Sequence, residues 1–317
     1  MRALVTGGGG FVGQWLSKLL LARGASVDCA GLGRVPSLAF GEDEARRIRW
    51  MNLDLRSVED VDAVVEASRP DVIFHLAGVS FPPDAERAPL DTFEVNTLGV
   101  VRLLAAVRRR RDAGTIDPVV VVVGSGMQYG AHAADEMPLG EGAEQRPVTI
   151  YAASKSAQET AALQVFRASG VRVICTRSFN HSGPGQPGHY LLPSLVARVR
   201  AVLAGESREL TLGNNVVRDY LHVSDVVRAY VLLAERGTPG EVYNVASGRG
   251  VSAHDLARDV LLRAGASADI TTSPTLVRTS DVPINIGSPE KLSRDTGWEP
   301  LKTHLEIIDD LLHAATD

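Results

Sequence analysis

Residues 6–13 read Thr6-Gly7-Gly8-Gly9-Gly10-Phe11-Val12-Gly13. They follow the short apolar run Ala3–Thr6 and open Val12–Arg23, where apolar residues recur at helical spacing. Glycine is needed where backbone turns tightly and comes close to a pyrophosphate, with a helix N-terminus facing the negative charge. Two spacings fit, Gly8-x-Gly10-x-x-Gly13 and Gly7-x-x-Gly10-x-x-Gly13. Such a motif is informative only between a strand and a helix, and that is where it lies here. The competing reading is a tight turn with no ligand.

Working outward, the same rhythm continues. Ala25–Gly31, Val72–Leu76, Val119–Val123, Val171–Arg177 and Val242–Val245 are short and rich in β-branched residues. Val58–Ser68, Leu90–Arg110 and Ala152–Ala168 carry helical periodicity between them. Alternating strands and helices predict an α/β fold, a doubly wound parallel sheet of Rossmann type with helices on both faces. Val119–Val123 has no polar alternation, as expected of a central strand covered on both sides.

After Arg177 the rhythm breaks. Asn180–Gly188 reads as a loop; helices are expected near Leu192–Leu203, Ser224–Glu235 and Ala253–Ala264, a strand near Glu209–Leu212, and a proline-punctuated tail. The expected organisation is a dinucleotide-binding domain of residues 1–177 plus about 219–246. A smaller, discontinuous α/β substrate lobe takes about 178–218 plus 247–317.

The 317 residues are 44% hydrophobic and 22% charged, enough for a sizeable core and unlike a disordered chain. A net charge of -5 argues against nucleic acid or an anionic membrane surface as partner. Cys29 and Cys175 both lie in strand-like stretches, so no disulfide framework or cysteine-based metal site is expected. No apolar run is long enough to span a bilayer, and the chain opens directly on a strand, which predicts a cytoplasmic protein. The run Arg108–Arg111 reads as a solvated helix C-terminus, where cations favour the dipole.

An acid ending the second strand would grip the 2′-hydroxyl of NAD. Asp28, the only candidate, lies inside the strand, whose exit reads Gly31-Leu32-Gly33-Arg34. A small residue followed by arginine leaves room and counter-charge for a 2′-phosphate, which favours NADPH, with NAD as the alternative. Arg34 as an ordinary surface arginine is the competing reading. Asp54 is placed to meet the adenine amine, against a simple helix cap.

Tyr151-Ala-Ala-Ser-Lys155 opens a helix, so Tyr151 and Lys155 share one face. A free phenol has a pKa of ~10, and a lysine one turn away, with a nicotinamide's charge nearby, is expected to lower it toward the working range of an acid–base. Ser125, after the Val119–Val123 run, is placed to donate a hydrogen bond to a substrate carbonyl.

With TGGGGFVG at 6–13, LDL at 53–55, FHLAG at 74–78, NTLG at 96–99, GSGMQYG at 124–130 and YAASK at 151–155, the chain resembles the extended short-chain dehydrogenase/reductases. The resemblance implies Ser125, Tyr151 and Lys155 as catalytic residues, with Asn96 beside them. It implies cofactor contacts from Gly7, Gly10, Phe11, Val12, Gly13, Arg34, Asp54, Leu55, Leu76, Ala77 and Gly78. A homodimer built on helices near 90–110 and 152–168 is implied as well.

Phe179–Gln186, Val217–Tyr220, Arg278–Pro283 and the tail Lys291–Leu292 with Thr296–Pro300 resemble the nucleotide-sugar members, especially the GDP-4-keto-6-deoxy-D-mannose reductases that form GDP-D-rhamnose. That resemblance implies substrate contacts from Ser125, Gly126, Met127, Asn180, His181, Arg218 and Arg278, with the two arginines on the substrate pyrophosphate. The competing readings are surface ion pairs for the arginines and loop capping for Asn180. Met127 stands where dehydratases of this branch carry a glutamate base, and a thioether cannot abstract a proton. The expected reaction is reduction of a 4-keto-6-deoxy nucleotide sugar. The alternatives are an NAD-dependent 4-epimerase, a GDP-mannose 4,6-dehydratase and a non-catalytic dinucleotide-binding module. No metal is expected.

Overall fold

A computed structural model describes residues 1–33, 41–273, 276 and 281–314. In chain order the strands are β1 (Arg2–Thr6), β2 (Ser26–Gly31), β3 (Ile48–Asn52), β4 (Val72–His75), β5 (Val119–Ser125), β6 (Val173–Ser178) and β7 (Asn180–Ser182). They continue with β8 (Glu209–Leu212), β9 (Val217–His222), β10 (Val242–Val245), β11 (Gly250–Ser252), β12 (Asp269–Thr272) and β13 (Ile284–Asn285). Seven of them form one sheet in the order β10-β6-β5-β4-β1-β2-β3, every pair parallel. The doubly wound α/β fold is therefore present.

Parallel strands joined by crossover helices are covered on both faces, and two cores result. On one face Leu16 and Leu20 of helix Phe11–Ala22 pack with Val226, Tyr230 and Leu233 of helix Val223–Arg236 against β1, β2 and β6. On the other, Val61 and Val65, Leu103 and Val107, and Ala162 and Leu163 come from helices Val58–Ser68, Gly99–Asp112 and Ile150–Ser169. The strand order reverses beside β1, with Thr6 opposite His75 of β4. The crevice at such a switch point is where these sheets bind ligands.

A smaller sheet runs β11-β9-β13 with β7 also on β9, and β12 pairs with β8. Leu195, Val199, Leu256, Val260, Ile307 and Ile308 form its separate core with helices Leu191–Leu203, Ala253–Ala264 and His304–His313.

Several expectations need correction. The start of the expected Asn180–Gly188 loop is β7, paired with β9. Val217–His222 belongs to the smaller sheet, so the chain rejoins the large sheet's layers at helix Val223–Arg236, later than residue 219. The expected helix Leu90–Arg110 is three pieces: Pro89–Phe93, a π-helical turn Glu94–Leu98, and Gly99–Asp112. The proline-punctuated tail holds two helices, Glu290–Thr296 and His304–His313, with Trp298 buried between them.

Candidate active site

The glycine loop is shaped by close approach. Gly7 has φ +74°, and a Cβ there would lie 2.8 Å from Ala77 N. A Cβ on Gly13 would stand 2.3 Å from Gly7 O, one on Gly8 2.5 Å from Cys29 Sγ, and one on Gly10 a tolerable 3.3 Å from Gly7 O. Gly7, at positive φ, and Gly13 both press on backbone, which favours Gly7-x-x-Gly10-x-x-Gly13 over the Gly8 spacing. Gly10 is the N-cap of helix Phe11–Ala22 and has no side chain to engage the first-turn N–H groups. Such a terminus suits a pyrophosphate.

The opposite wall is the 76–78 segment. Leu76 N–H donates to Thr6 O at 3.1 Å, and Ala77 N–H to Thr6 Oγ1 at 3.3 Å. Thr6 Oγ1 also meets His75 Nδ1 at 2.8 Å. A Cβ on Gly78 would stand 2.6 Å from Asn96 Oδ1 and 3.7 Å from Lys155 Nζ, so this loop, Asn96 and Lys155 converge. Asn96, fully buried on the π-helical turn, accepts from Val79 N–H at 2.8 Å and donates to Val79 O and Ser154 Oγ. A π-turn inside a helix is a frequent mark of a functional site. A cradle that no Cβ could enter fits a dinucleotide.

Other expected cofactor residues fare differently. Leu55 is buried against Gly99, and Val12 is partly buried on the helix-side core. Asp54 is engaged by the Arg56 guanidinium in three charge-assisted bonds, which hold its carboxyl below the ordinary range. Ser57 caps the following helix, so Asp54 is not the cap of the competing reading. Asp28 lies inside β2, ion-paired with Arg49. Arg34 and Arg278 lie outside the described residues.

Thr149 caps the helix that carries Tyr151 and Lys155, accepting Ala152 N–H at 3.1 Å, and Gly170 at φ +71° ends it. Ser125 ends β5, accepts Met127 N–H at 3.2 Å, and its hydroxyl stands close enough to the Tyr151 phenol to act on its pKa. Burial pushes Tyr151 up from 10.0 to about 12, with the Ser125 bond acting against it. Lys155 donates to Val123 O at 2.9 Å and Gln158 Oε1 at 3.0 Å, and burial lowers it from 10.5 to about 8. In the protein alone desolvation dominates at Tyr151, and the Lys155 ammonium is turned to the Val123 carbonyl.

Gly126 admits the Phe179 ring, 2.9 Å from where a Cβ would stand, and its carbonyl accepts from Asn285 Nδ2 at 3.0 Å. Met127 is partly buried in the same turn. Asn285 pairs with Arg218 between β13 and β9, which ties this turn to the smaller sheet. Arg218 donates to Val217 O at 2.9 Å, so no ion pair of the competing reading is needed to hold it. Asn180 is exposed; His181 Nδ1 lies 2.9 Å from Phe179 O and its ring stacks on Phe11 at 6.4 Å. The segment Asn180–Ser182 thus lies beside the N-terminus of the glycine-loop helix. Among the described residues no cluster of His, Cys, Asp or Glu could hold a metal ion.

Sequence reasoning passed over Gln128, Gln158, Glu159, Arg177 and Tyr190. Tyr190 stands near enough to Tyr151 to raise its pKa slightly and meets Ser80 Oγ at 3.4 Å. Glu159 was visible as the next residue on the Tyr151–Lys155 face, and Arg177 as a charge in an apolar strand.

The family model described as GDP-mannose 4,6-dehydratase matches residues 4–311. The chain belongs to this family. Its members sit among the extended short-chain dehydrogenase/reductases, NAD(P)-dependent enzymes acting on nucleotide sugars. The chain is 33% identical to the GDP-6-deoxy-D-mannose reductase of Pseudomonas aeruginosa, over 94% of this chain and 92% of that one. It is 28% identical to a UDP-glucose 4-epimerase of Azospirillum brasilense, over 97% and 89%. The solved structure of RMD from Pseudomonas aeruginosa complexed with NADPH superposes with a TM-score of 0.81, at 29% identity and 98% coverage of each chain. This family member is an enzyme acting on a nucleotide sugar, and no helix among its described residues is long and apolar enough to cross a membrane.

Proposed function

We propose that the protein reduces C4 of a 4-keto-6-deoxy nucleotide sugar with NADPH, GDP-4-keto-6-deoxy-D-mannose giving GDP-D-rhamnose. The observation that carries this reading is the buried grouping of Ser125, Tyr151 and Lys155 beside Asn96 and Gly78, with Met127 in the turn that follows Ser125. The 33% identical reductase supports the sugar and the direction. When bound, the dinucleotide supplies the hydride. Gly7, Gly10, Gly13 and Gly78 are the residues that would hold it. Ser125 donates to the C4 carbonyl and polarises it. Tyr151, whose phenol keeps its proton at neutral pH, delivers that proton to the C4 oxygen, and Lys155 offsets the charge left behind. Arg218, with Arg278, binds the substrate pyrophosphate; Asn180 and His181 orient the hexose. Elimination of water needs a base near C5, and Met127 offers none.

The lobe assignment, 1–177 with about 223–246 for the cofactor and the remainder for the sugar, belongs to the same reading, as does a cytoplasmic location. So does a homodimer: Leu90, Leu98 and Val101 leave large apolar side chains exposed along the segment 89–112.

A 4-epimerase is the second reading, favoured by the Azospirillum relative. The test mixes purified protein with the 4-keto sugar and follows NADPH absorbance. A steady fall supports reduction. A flat trace, with UDP-glucose and UDP-galactose interconverting without added coenzyme, supports the epimerase.

A further inference from the structure

We infer that Glu159 is a positioning residue whose buried carboxylate, held by Arg177, fixes the turn carrying Ser125 against the Tyr151 helix. This rests on the reduction proposed above. Tyr151, Lys155 and Glu159 follow one another at four-residue intervals and rise along one face of helix Ile150–Ser169. All three are buried.

The Glu159 carboxylate accepts four hydrogen bonds. Arg177 Nε and Nη2 donate at 2.9 and 2.7 Å, Gln128 Nε2 at 2.9 Å and Gln145 Nε2 at 2.6 Å. An ionised carboxylate offers about four lone-pair sites, so each is matched by a donor. Gln128 carries the link onward, its Oε1 accepting the Ser125 backbone N–H at 2.8 Å. Gly124 makes the room, since a Cβ there would stand 2.4 Å from Gln128 Oε1. Two hydrogen bonds therefore separate Glu159 from the Ser125 backbone.

The strand is tied a second time two residues earlier. Val123 O accepts from Lys155 Nζ at 2.9 Å and Gln158 Nε2 at 3.1 Å. Arg177 is itself fixed, donating to Glu141 O at 3.0 Å and lying 4.8 Å over the Tyr129 ring. Its pairing with Glu159 is nearly dry, each side chain 6% exposed. A buried ion pair adds little stability over well-packed apolar residues of like volume, while removing one partner is costly. What it adds over apolar packing, which is non-directional, is a fixed orientation. Here that orientation is delivered to the backbone of Ser125.

The test compares Glu159→Gln, Glu159→Asp and the double variant Glu159→Met/Arg177→Met in the full chain. Glu159→Gln leaves the Arg177 charge unmatched and turns an amide donor toward donors. The double variant removes both charges together, and Gln128 Nε2 keeps Gln145 Oε1 as its acceptor, so the unfolding midpoint falls less than in Glu159→Gln. The inference expects kcat to fall about 10–100-fold in both, as for a misplacement of about 1 Å, while KM for NADPH changes less than about 3-fold. Glu159→Asp, which keeps the acceptor, recovers part of the lost kcat. A folded double variant with wild-type kcat overturns the inference. If the wild-type protein itself reduces no 4-keto sugar, the functional reading fails separately, and crystal structures decide the positioning role. A Ser125 backbone displaced from Tyr151 in the double variant supports it, and an unchanged position of Ser125 overturns it.

Discussion

At the scale of single residues, the chemistry is a matter of which proton stays where. Tyr151 is raised to about 12 by burial and holds its proton through the alkaline range, whereas Lys155 is lowered to about 8. As pH rises through about 8, it is the lysine that loses charge, and with it the stabilisation of the departing phenolic proton. The reductive rate should therefore decline above about pH 8, and Lys155→Arg should carry that decline to higher pH because a guanidinium stays charged. A pH–rate profile whose alkaline limb is unmoved in that variant assigns the limb to another group. Tyr151→Phe removes the donor itself. Turnover should fall by ~100-fold or more with dinucleotide affinity nearly intact, measured by steady-state kinetics and fluorescence titration. The phenol and the ammonium were legible in the sequence because their four-residue spacing is local. Their protonation was not, since desolvation depends on what the rest of the chain packs around them.

At the scale of elements, the glycine loop and the 76–78 segment face each other across the switch point of the sheet, and Asn96 locks the second of them. Gly78→Ala would set a Cβ 2.6 Å from Asn96 Oδ1 and displace the bond from Val79 N–H. The expected loss is about 1–3 kcal/mol in denaturant unfolding, together with weaker NADPH binding. An unchanged midpoint and affinity would show that the segment gives way freely. The large sheet could be read from periodicity because its strands and helices are long enough to show one. The three-residue strands β7 and β11 and the two-residue β13 are too short to carry a period, and only pairing with β9 makes them strands. The π-helical turn escaped for a related reason. Gly99 N–H reaches back five residues to Glu94 O, adding one residue without breaking the apolar pattern. The Glu159 network joins residues 31 and 18 positions apart, which no local spacing announces.

At the scale of the whole molecule, two surfaces matter, the switch-point end of the large sheet where the glycine loop, Gly78, Asn96 and Lys155 converge, which we take as the cleft of the site, and the apolar strip of the 89–112 segment. Leu98 is 44% and Val101 39% exposed, a cost to a monomer that a second copy would remove. Light scattering at micromolar concentration should give a dimer, and Leu98→Glu with Val101→Glu should give a monomer. A wild-type monomer would contradict the homodimer. The cleft carries the central claim, that a hydride from NADPH is retained at C4 of the sugar. The most direct measurement supplies NADPH deuterated at the transferable nicotinamide position and weighs the nucleotide-sugar product by mass spectrometry. Reduction predicts one deuterium in the product, located at C4, for each coenzyme oxidised. A 4-hydroxy product that carries no deuterium while the labelled coenzyme is the only one supplied would contradict the account, because its C4 hydrogen would then have come from another source.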